Sequence, residues 1–423
     1  MHFTKTHTKL TCYLAYVSQA IVCCLAGLLF SAFQAEFSLS LTLLSVIVVV
    51  TFACQILVDV VCARHVEKLG YRRAMILSSA LTCLGLILLC FLPYLLPPYA
   101  GILIAVAVYS TGGGLIDVVV GPIVEAIPSQ HKAAQMSLLH SFFCWGTAAV
   151  ILLATGYFAL FGVKNWRFLP LFLAAIPFLV LILFFLVPVP DPVKISETGA
   201  KKPLFKTPVF YLMLLLMLLS GAAEQLMSQW ASYFAEQGLN VSKAQGDVLG
   251  PCAFAVCMGV SRTLYGLFAK QGRLRKLIAL SGGLCAACFL LTVFSPLPVL
   301  SLVGCALTGF AVGILWPGCI SVASERLGSS AKLFAFLALF GDVGCTAGPM
   351  LVGLASDAIK SADGGVFSAF IPGNSPTEIA LKAGIFLGCI FPLLLIVAVQ
   401  PLKKLPPPGE NSLKNADFSE KTD

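Results

Sequence analysis

Residues 112–146, GGGLIDVVVGPIVEAIPSQHKAAQMSLLHSFFCWG, hold two apolar segments joined by a short polar hinge. Asp117 lies in the first segment and His140 in the second, each among residues suited to the core of a bilayer. An ionisable side chain at that depth is expensive to desolvate and is a functional candidate by default. The surrounding chain reads as the scaffold that keeps these two groups inside a membrane.

Apolar runs of about 20 residues recur from end to end, each long enough to cross roughly 30 Å of hydrocarbon as a helix. The 423 residues are 59% hydrophobic and 11% charged, against about 25% charged in soluble domains. The runs lack the apolar/polar alternation of a membrane barrel, and backbone groups in lipid must bond internally, so helices remain. The sequence predicts an all-α polytopic membrane protein with twelve transmembrane helices. They fall near 10–32, 40–62, 74–96, 100–123, 134–160 and 167–188, then 207–235, 244–268, 276–295, 298–322, 333–356 and 379–400. The basic start (His2, Lys5, His7, Lys9) precedes a run too long for a signal peptide and without a small-residue cleavage site, so it is read as the first helix.

The one long internal polar stretch, PDPVKISETGAKKPLFKTP from Pro190, divides the chain. The expected organisation is a six-helix half over 1–189, a linker over 190–206, a second six-helix half over 207–400 and a polar tail over 401–423. Of the 27 Lys and Arg, 21 fall on the side shared by both termini and 5 on the other, Arg262 being inside a helix. That bias predicts cytoplasmic termini. The net charge of +8 is therefore a topology signal, with no nucleic-acid partner implied. Gly114, Pro122 and Gly146 recur 195 residues later as Gly309, Pro317 and Gly341, the echo expected of two repeated halves with a site between them.

Between the second and third helices runs ARHVEKLGYRR, Ala63 to Arg73. It resembles the loop 2–3 motif of the major facilitator superfamily, GxLaDrxGrkr. Glu67 stands for the acid, Lys68 for the first base, Gly70 for the central glycine and Arg72 and Arg73 for the closing bases; Ala63 departs from the opening glycine. Gly70 permits a tight turn, while the acid and bases can latch helix ends. A degenerate copy, GLFAKQGRLRK, begins at Gly266. GLIDVVVGP from Gly114 is similar to the helix 4 pattern GxxExxxNP of the fucose-permease-like sugar:proton symporters, with Asp117 at the acid and Gly121 replacing the asparagine. SLLHSFF, Ser137 to Phe143, is similar to that group's helix 5 NLLHSFF. Helix 1 departs, reading VCCLAG from Val22 where that group carries polar and acidic residues, which leaves the particular sugar open.

The resemblance implies a monomeric transporter of a small molecule, embedded in the inner (plasma) membrane and coupled to protons. Proton-coupling candidates are Asp117, His140 and Asp342. Substrate-binding candidates are Gln19, His140, Trp145, Glu224, Gln225, Gln229, Trp230, Arg262 and Trp316. Amides around an aromatic plate suit a hydroxylated ring, hydrogen-bonded at its edge and stacked on its face. The same residues of helix 7 also suit a polar outer helix end, and His140 a satisfied core histidine. Arg262 is expected to face an interior cavity and pair with an acid, for which Asp342 is one candidate, or with an anionic substrate, and Glu125, Glu325 and Arg326 are expected gate latches near helix ends. Gly112–Gly114 is read as close packing rather than a phosphate loop, since no GK[ST] follows. Cys285 and Cys288 form a CxxC inside an apolar helix and are read as core, so no metal and no cofactor is expected. The rival transporter is a proton-driven exporter of amphipathic compounds, which the apolar helix 1 suits. An enzyme would show a clustered nucleophile or metal motif and a sensor a folded soluble domain; the sequence displays neither.

Overall fold

The computed structural model describes residues 3–127, 132–190, 205, 207–268, 274–327 and 331–403, without the side chains of 63–68, 125, 132–137, 266–268, 331, 332, 334 and 403. Twelve spans are long and apolar enough to cross a membrane: α1 Lys5–Phe37, α2 Leu41–Cys62, α3 Tyr71–Leu95, α4 Pro98–Val124, α5 Leu138–Phe161 and α6 Val163–Leu186. The second six are α7 Pro208–Gly238, α8 Lys243–Tyr265, α9 Leu274–Phe294, α10 Pro298–Leu327, α11 Ala335–Ser361 and α12 Pro376–Leu402. Each overlaps a predicted span, usually with extra turns at the ends. Twelve crossings return the chain to the face on which it started.

Helix starts follow local chemistry. Pro98, Pro208, Pro298 and Pro376 sit in first turns, where a missing N–H costs nothing. The Ser375 hydroxyl accepts from the Glu378 N–H as an N-cap. Gly70 precedes α3 at φ +79, a left-handed turn that glycine adopts without strain.

Small residues let the helices approach closely. The Ser78 hydroxyl of α3 donates to the Gly112 carbonyl of α4 at 2.7 Å. On α11, Gly344 and Gly348 lie against the α7 backbone at Leu218 and Ala222. With no water to expel, helices in lipid associate through such close packing. Across the seam, Gly27 of α1 touches the Gln229 carbonyl of α7, and these two central helices are largely buried.

Hydrogen bonds joining the two halves run from mid-depth to the face remote from the chain ends. The Gln229 amide donates to the Cys23 carbonyl at 2.6 Å, and the Lys243 ammonium to the Leu28 carbonyl at 2.9 Å. Ser45 donates to the Pro349 carbonyl at 3.0 Å, and the Tyr233 hydroxyl to Gln34. Outermost, the Asp357 carboxylate of α11 accepts from the N–H groups of Leu41 and Thr42 at 3.0 and 2.7 Å, capping α2 across the seam. These bonds hold the halves together at the outer face.

A helix cap of this kind contributes about 1 kcal/mol. Asp357→Ala should loosen the outer seam, raising amide hydrogen exchange at Leu41 and Thr42 by roughly fivefold. Unchanged exchange at those amides would show that the cap does not hold the closed face.

Candidate functional site

The glycine run of α4 builds the floor of the site. Gly113 faces the Gln19 side chain of α1, and Gly114 faces the backbone of Gln55 on α2. Side chains at either glycine would push α1 and α2 away. One turn further on, the Gln19 amide donates to the Asp117 carboxylate, while its Oε1 and the Gln55 Nε2 lack partners. Asp117 is solvent-exposed although its helix lies within the bundle, so it faces the open interior.

Asp342 of α11 joins this layer through a residue that sequence reasoning passed over. Asp342 and Asp59 on α2 lie within electrostatic reach of each other and of Asp117. Asp59 is the only charged residue between Leu41 and Cys62, so the rule that singled out Asp117 could have found it. All three acids lie on the chain-end side of the midpoints of their spans, Asp59 the nearest to a span end.

His140 is likewise exposed to the interior and meets the Tyr16 ring edge-on at 5.7 Å, with Tyr16 in turn close to Asp117. The Tyr16 ring thus lies against His140, and among the described residues no hydrogen bond joins His140 to the Asp117 carboxylate.

In the second half, Arg262 pairs with Glu224, its Nη2 lying 3.3 and 3.2 Å from the two carboxylate oxygens, and its Nε donates to the Gly313 carbonyl at 3.3 Å. This replaces the candidate Arg262–Asp342 pair: α7 carries its own acid facing α8, and Asp342 faces α2 instead. Gln225 accepts from Gln229 at 3.0 Å, one turn apart as the spacing predicts. Glu224, Gln225 and Ser228 line a narrow cavity across the seam, closed from the first half by Cys23, Phe143 and Thr147.

The tryptophans divide. Trp230 is fully buried, edge-on to Phe30 and Tyr233 at 5.2 and 5.7 Å, and its indole N–H bonds the Pro349 carbonyl at 3.1 Å. It is a pillar of the closed seam, without a free face for a sugar. Trp145 is 43% exposed beside Gly259 of α8 and outside the narrow cavity. Trp316 lies over Gly341, next in chain to Asp342.

In the loop motif, Arg72 donates to the carbonyls of Phe184, Phe185 and Val187 at 3.0, 3.1 and 2.8 Å. These are last-turn acceptors of α6, which the guanidinium caps and whose dipole it complements. Arg73 is exposed. The side chains of Glu67, Lys68 and Glu125 lie outside the described residues. Glu325 and Arg326 are half-buried at the end of α10.

Twelve spans in two halves around an interior layer of paired and water-facing charges define a membrane transporter. The Major Facilitator Superfamily sequence model matches residues 12–349, and the chain belongs to that superfamily. No curated protein matches the sequence. Among solved structures, a bacterial homolog of the human lysosomal transporter Spinster, inward-facing and occupied, is similar at a TM-score of 0.74 and 14% identity, covering 94% of this chain and 97% of that one. The D-xylose–proton symporter gives 0.69 and 14%, covering 94% and 98%. The outward-facing major facilitator transporter FucP gives 0.60 and 17%, covering 92% and 98%. At these identities the likeness concerns the fold.

Removing one partner from a buried ion pair strands the other charge, at a cost on the order of 3 kcal/mol. Glu224→Gln should therefore lower the melting temperature of the detergent-solubilised protein, and Glu224→Gln/Arg262→Met should recover most of the loss. A double variant no more stable than the single one would show that the pair is not the source of the effect.

Proposed function

We propose that this transporter takes up a small hydroxylated solute, of the sugar class, together with protons, by alternating access between its two halves. The carrying observation is Asp117: a carboxylate deep in the bundle, open to the interior, held by an amide and backed by Tyr16 and His140. A group so placed can take a proton from one face and release it to the other. The amides of Gln225 and Gln229 with the Ser228 hydroxyl and the Glu224–Arg262 pair supply hydrogen-bonding groups of both kinds for a polyhydroxylated ligand. The neighbouring fold of a D-xylose–proton symporter supports the same reading. The excess of Lys and Arg on the terminal side favours cytoplasmic termini in a plasma or inner membrane, and the protein is read as acting as a monomer.

A second reading, proton-driven export of amphipathic compounds, draws on the apolar share of the cavity wall, where Cys23, Phe143 and Phe254 face the polar groups.

Ligands that bind only the folded state raise its apparent stability by about 2.7 kcal/mol at a hundredfold excess over Kd. Thermal stabilisation of the detergent-purified protein across sugars, organic acids and lipophilic cations, at acidic and alkaline pH, separates the two readings. The expected result is a sugar-dependent rise in melting temperature whose pH dependence disappears in Asp117→Asn. Shifts with lipophilic cations alone, unchanged by the substitution, would establish the exporter and return Asp117 to a structural role.

A further inference from the structure

Gln229 of α7 serves the seam cavity at one remove. It is 2% exposed and lies outside the narrow cavity that Gln225, one turn earlier, lines. Its Nε2 carries two protons, and two acceptors hold them: the Cys23 carbonyl of α1 at 2.6 Å and the Gln225 Oε1 at 3.0 Å. That geometry fixes which end of the amide is nitrogen, since a backbone carbonyl accepts and cannot donate. The Gln229 Oε1 is left buried without a partner, close to Gly27 of α1. A leucine here would leave no orphaned acceptor. The glutamine therefore carries a stability cost, the local conflict expected at a functional position.

The bond from Gln229 occupies the Gln225 Oε1 and so orients the second amide as well. The end left for the cavity is its NH2 group. Other polar groups around that cavity lean the opposite way. The Glu224 carboxylate offers lone pairs only, and the Thr147 hydroxyl, which donates to the Phe143 carbonyl at 2.9 Å, also has lone pairs to offer. The Ser228 hydroxyl rotates to suit either role. Gln225 is thus the strong donor of fixed direction among the described lining side chains, and turning its amide over would leave a wall of acceptors.

Both glutamines stand on the second half, whereas the Cys23 carbonyl belongs to the first. It reaches Gln229 because Gly27 lets α1 approach: a β-carbon at Gly27 would stand 2.7 Å from the Gln229 carbonyl oxygen. When the halves part, Gln229 loses the acceptor that fixes its amide, and both amides become free to turn.

We propose that Gln229 is a positioning residue that makes the hydrogen-bonding character of the cavity depend on contact between α1 and α7. With the two helices together, Gln225 donates, and the site takes a solute bearing an oxygen acceptor at that point. A group that can only donate is refused. With the helices apart, either end of the Gln225 amide can face the solute. A hydroxyl satisfies both arrangements, an ammonium only the second. This rests on the hydroxylated solute proposed above and specifies the group that solute carries at Gln225.

Two variants of the full chain, purified in detergent, test the assignment. Gln229→Leu removes the donor, while Gly27→Ala keeps both amides and pushes α1 away. Without ligand, the readout is the Gln225 side-chain amide in protein made with isotope-labelled glutamine, its resonance assigned by its absence in Gln225→Leu. Its order parameter should approach that of rigid backbone, about 0.85, in the unmodified protein and fall below about 0.6 in either variant. With ligand, thermal stabilisation by pentoses and hexoses is compared with that by their deoxyfluoro analogues, which only accept, and their amino-deoxy analogues, which at neutral pH only donate. At one ring position the unmodified protein should bind the fluoro analogue roughly tenfold more tightly than the amino one, and either variant should shrink that ratio to about threefold or less. If Gln229→Leu does not fold, Gly27→Ala makes the same predictions.

The proposal is overturned if the Gln225 amide stays ordered in the variants. It is equally overturned if Gln229→Leu weakens all the sugars alike and keeps the ratio, as a residue touching the solute would. Absence of stabilisation by every sugar would instead overturn the hydroxylated-solute reading, and the order of the Gln225 amide would still decide the role of Gln229.

Discussion

A charge inside a bilayer needs a partner or water, and the way this chain supplies partners organises its interior. Glu224 and Arg262 belong to one half, as do Lys243 with Asp247 at 2.9 Å and Lys382 with Glu378 at 2.9 Å. Asp117 and Gln19 belong to the other. When the halves move apart, each of these groups keeps its partner, so the movement bares no isolated charge in hydrocarbon. Across the seam, by contrast, most bonds end on backbone carbonyls, as at Cys23, Leu28 and Pro349. The neutral ones among them are worth about 1 kcal/mol each and the Lys243 bond somewhat more, strong enough together to hold a state and weak enough singly to be exchanged for water.

The fold was legible because hydrocarbon imposes one rule on the backbone, and that rule writes itself as runs of apolar residues. Within the site, legibility tracked local spacing. Gln225 and Gln229 are neighbours on a helix and bond as their separation requires. Asp117 stood out as an acid among valines, and Arg72 fell within a loop motif whose bases were expected to latch helix ends, as it does on α6. The loop itself turns at Gly70, in the left-handed conformation that its place in the motif demands.

What the sequence could not supply was which helix faces which. Arg262 had two acids within reach on paper, and only the rotation of α7 and α11 about their axes decides that Glu224 is the nearer. Trp230 carries the same residue type as a sugar-stacking plate, yet Phe30 and Tyr233 occupy its surroundings. Asp59 sits three residues before the end of its span and close to Arg64, where an acid reads as belonging to the loop chemistry. Its meaning arises from Asp342, 283 positions later in the chain, across the seam.

Acids sit at two depths along the seam between α2 and α11, and their surroundings differ. Asp357 at the outer face meets N–H groups at a helix start and, once released, meets water, so ionisation favours its contact and costs nothing on opening. Asp59 and Asp342 lie some 22 Å deeper, where no helix terminus offers N–H groups and no described base approaches. The glycines that bring α1 and α2 against α4 put Asp117 within electrostatic reach of Asp59 and Asp342, so three acids from two halves share one layer of the interior.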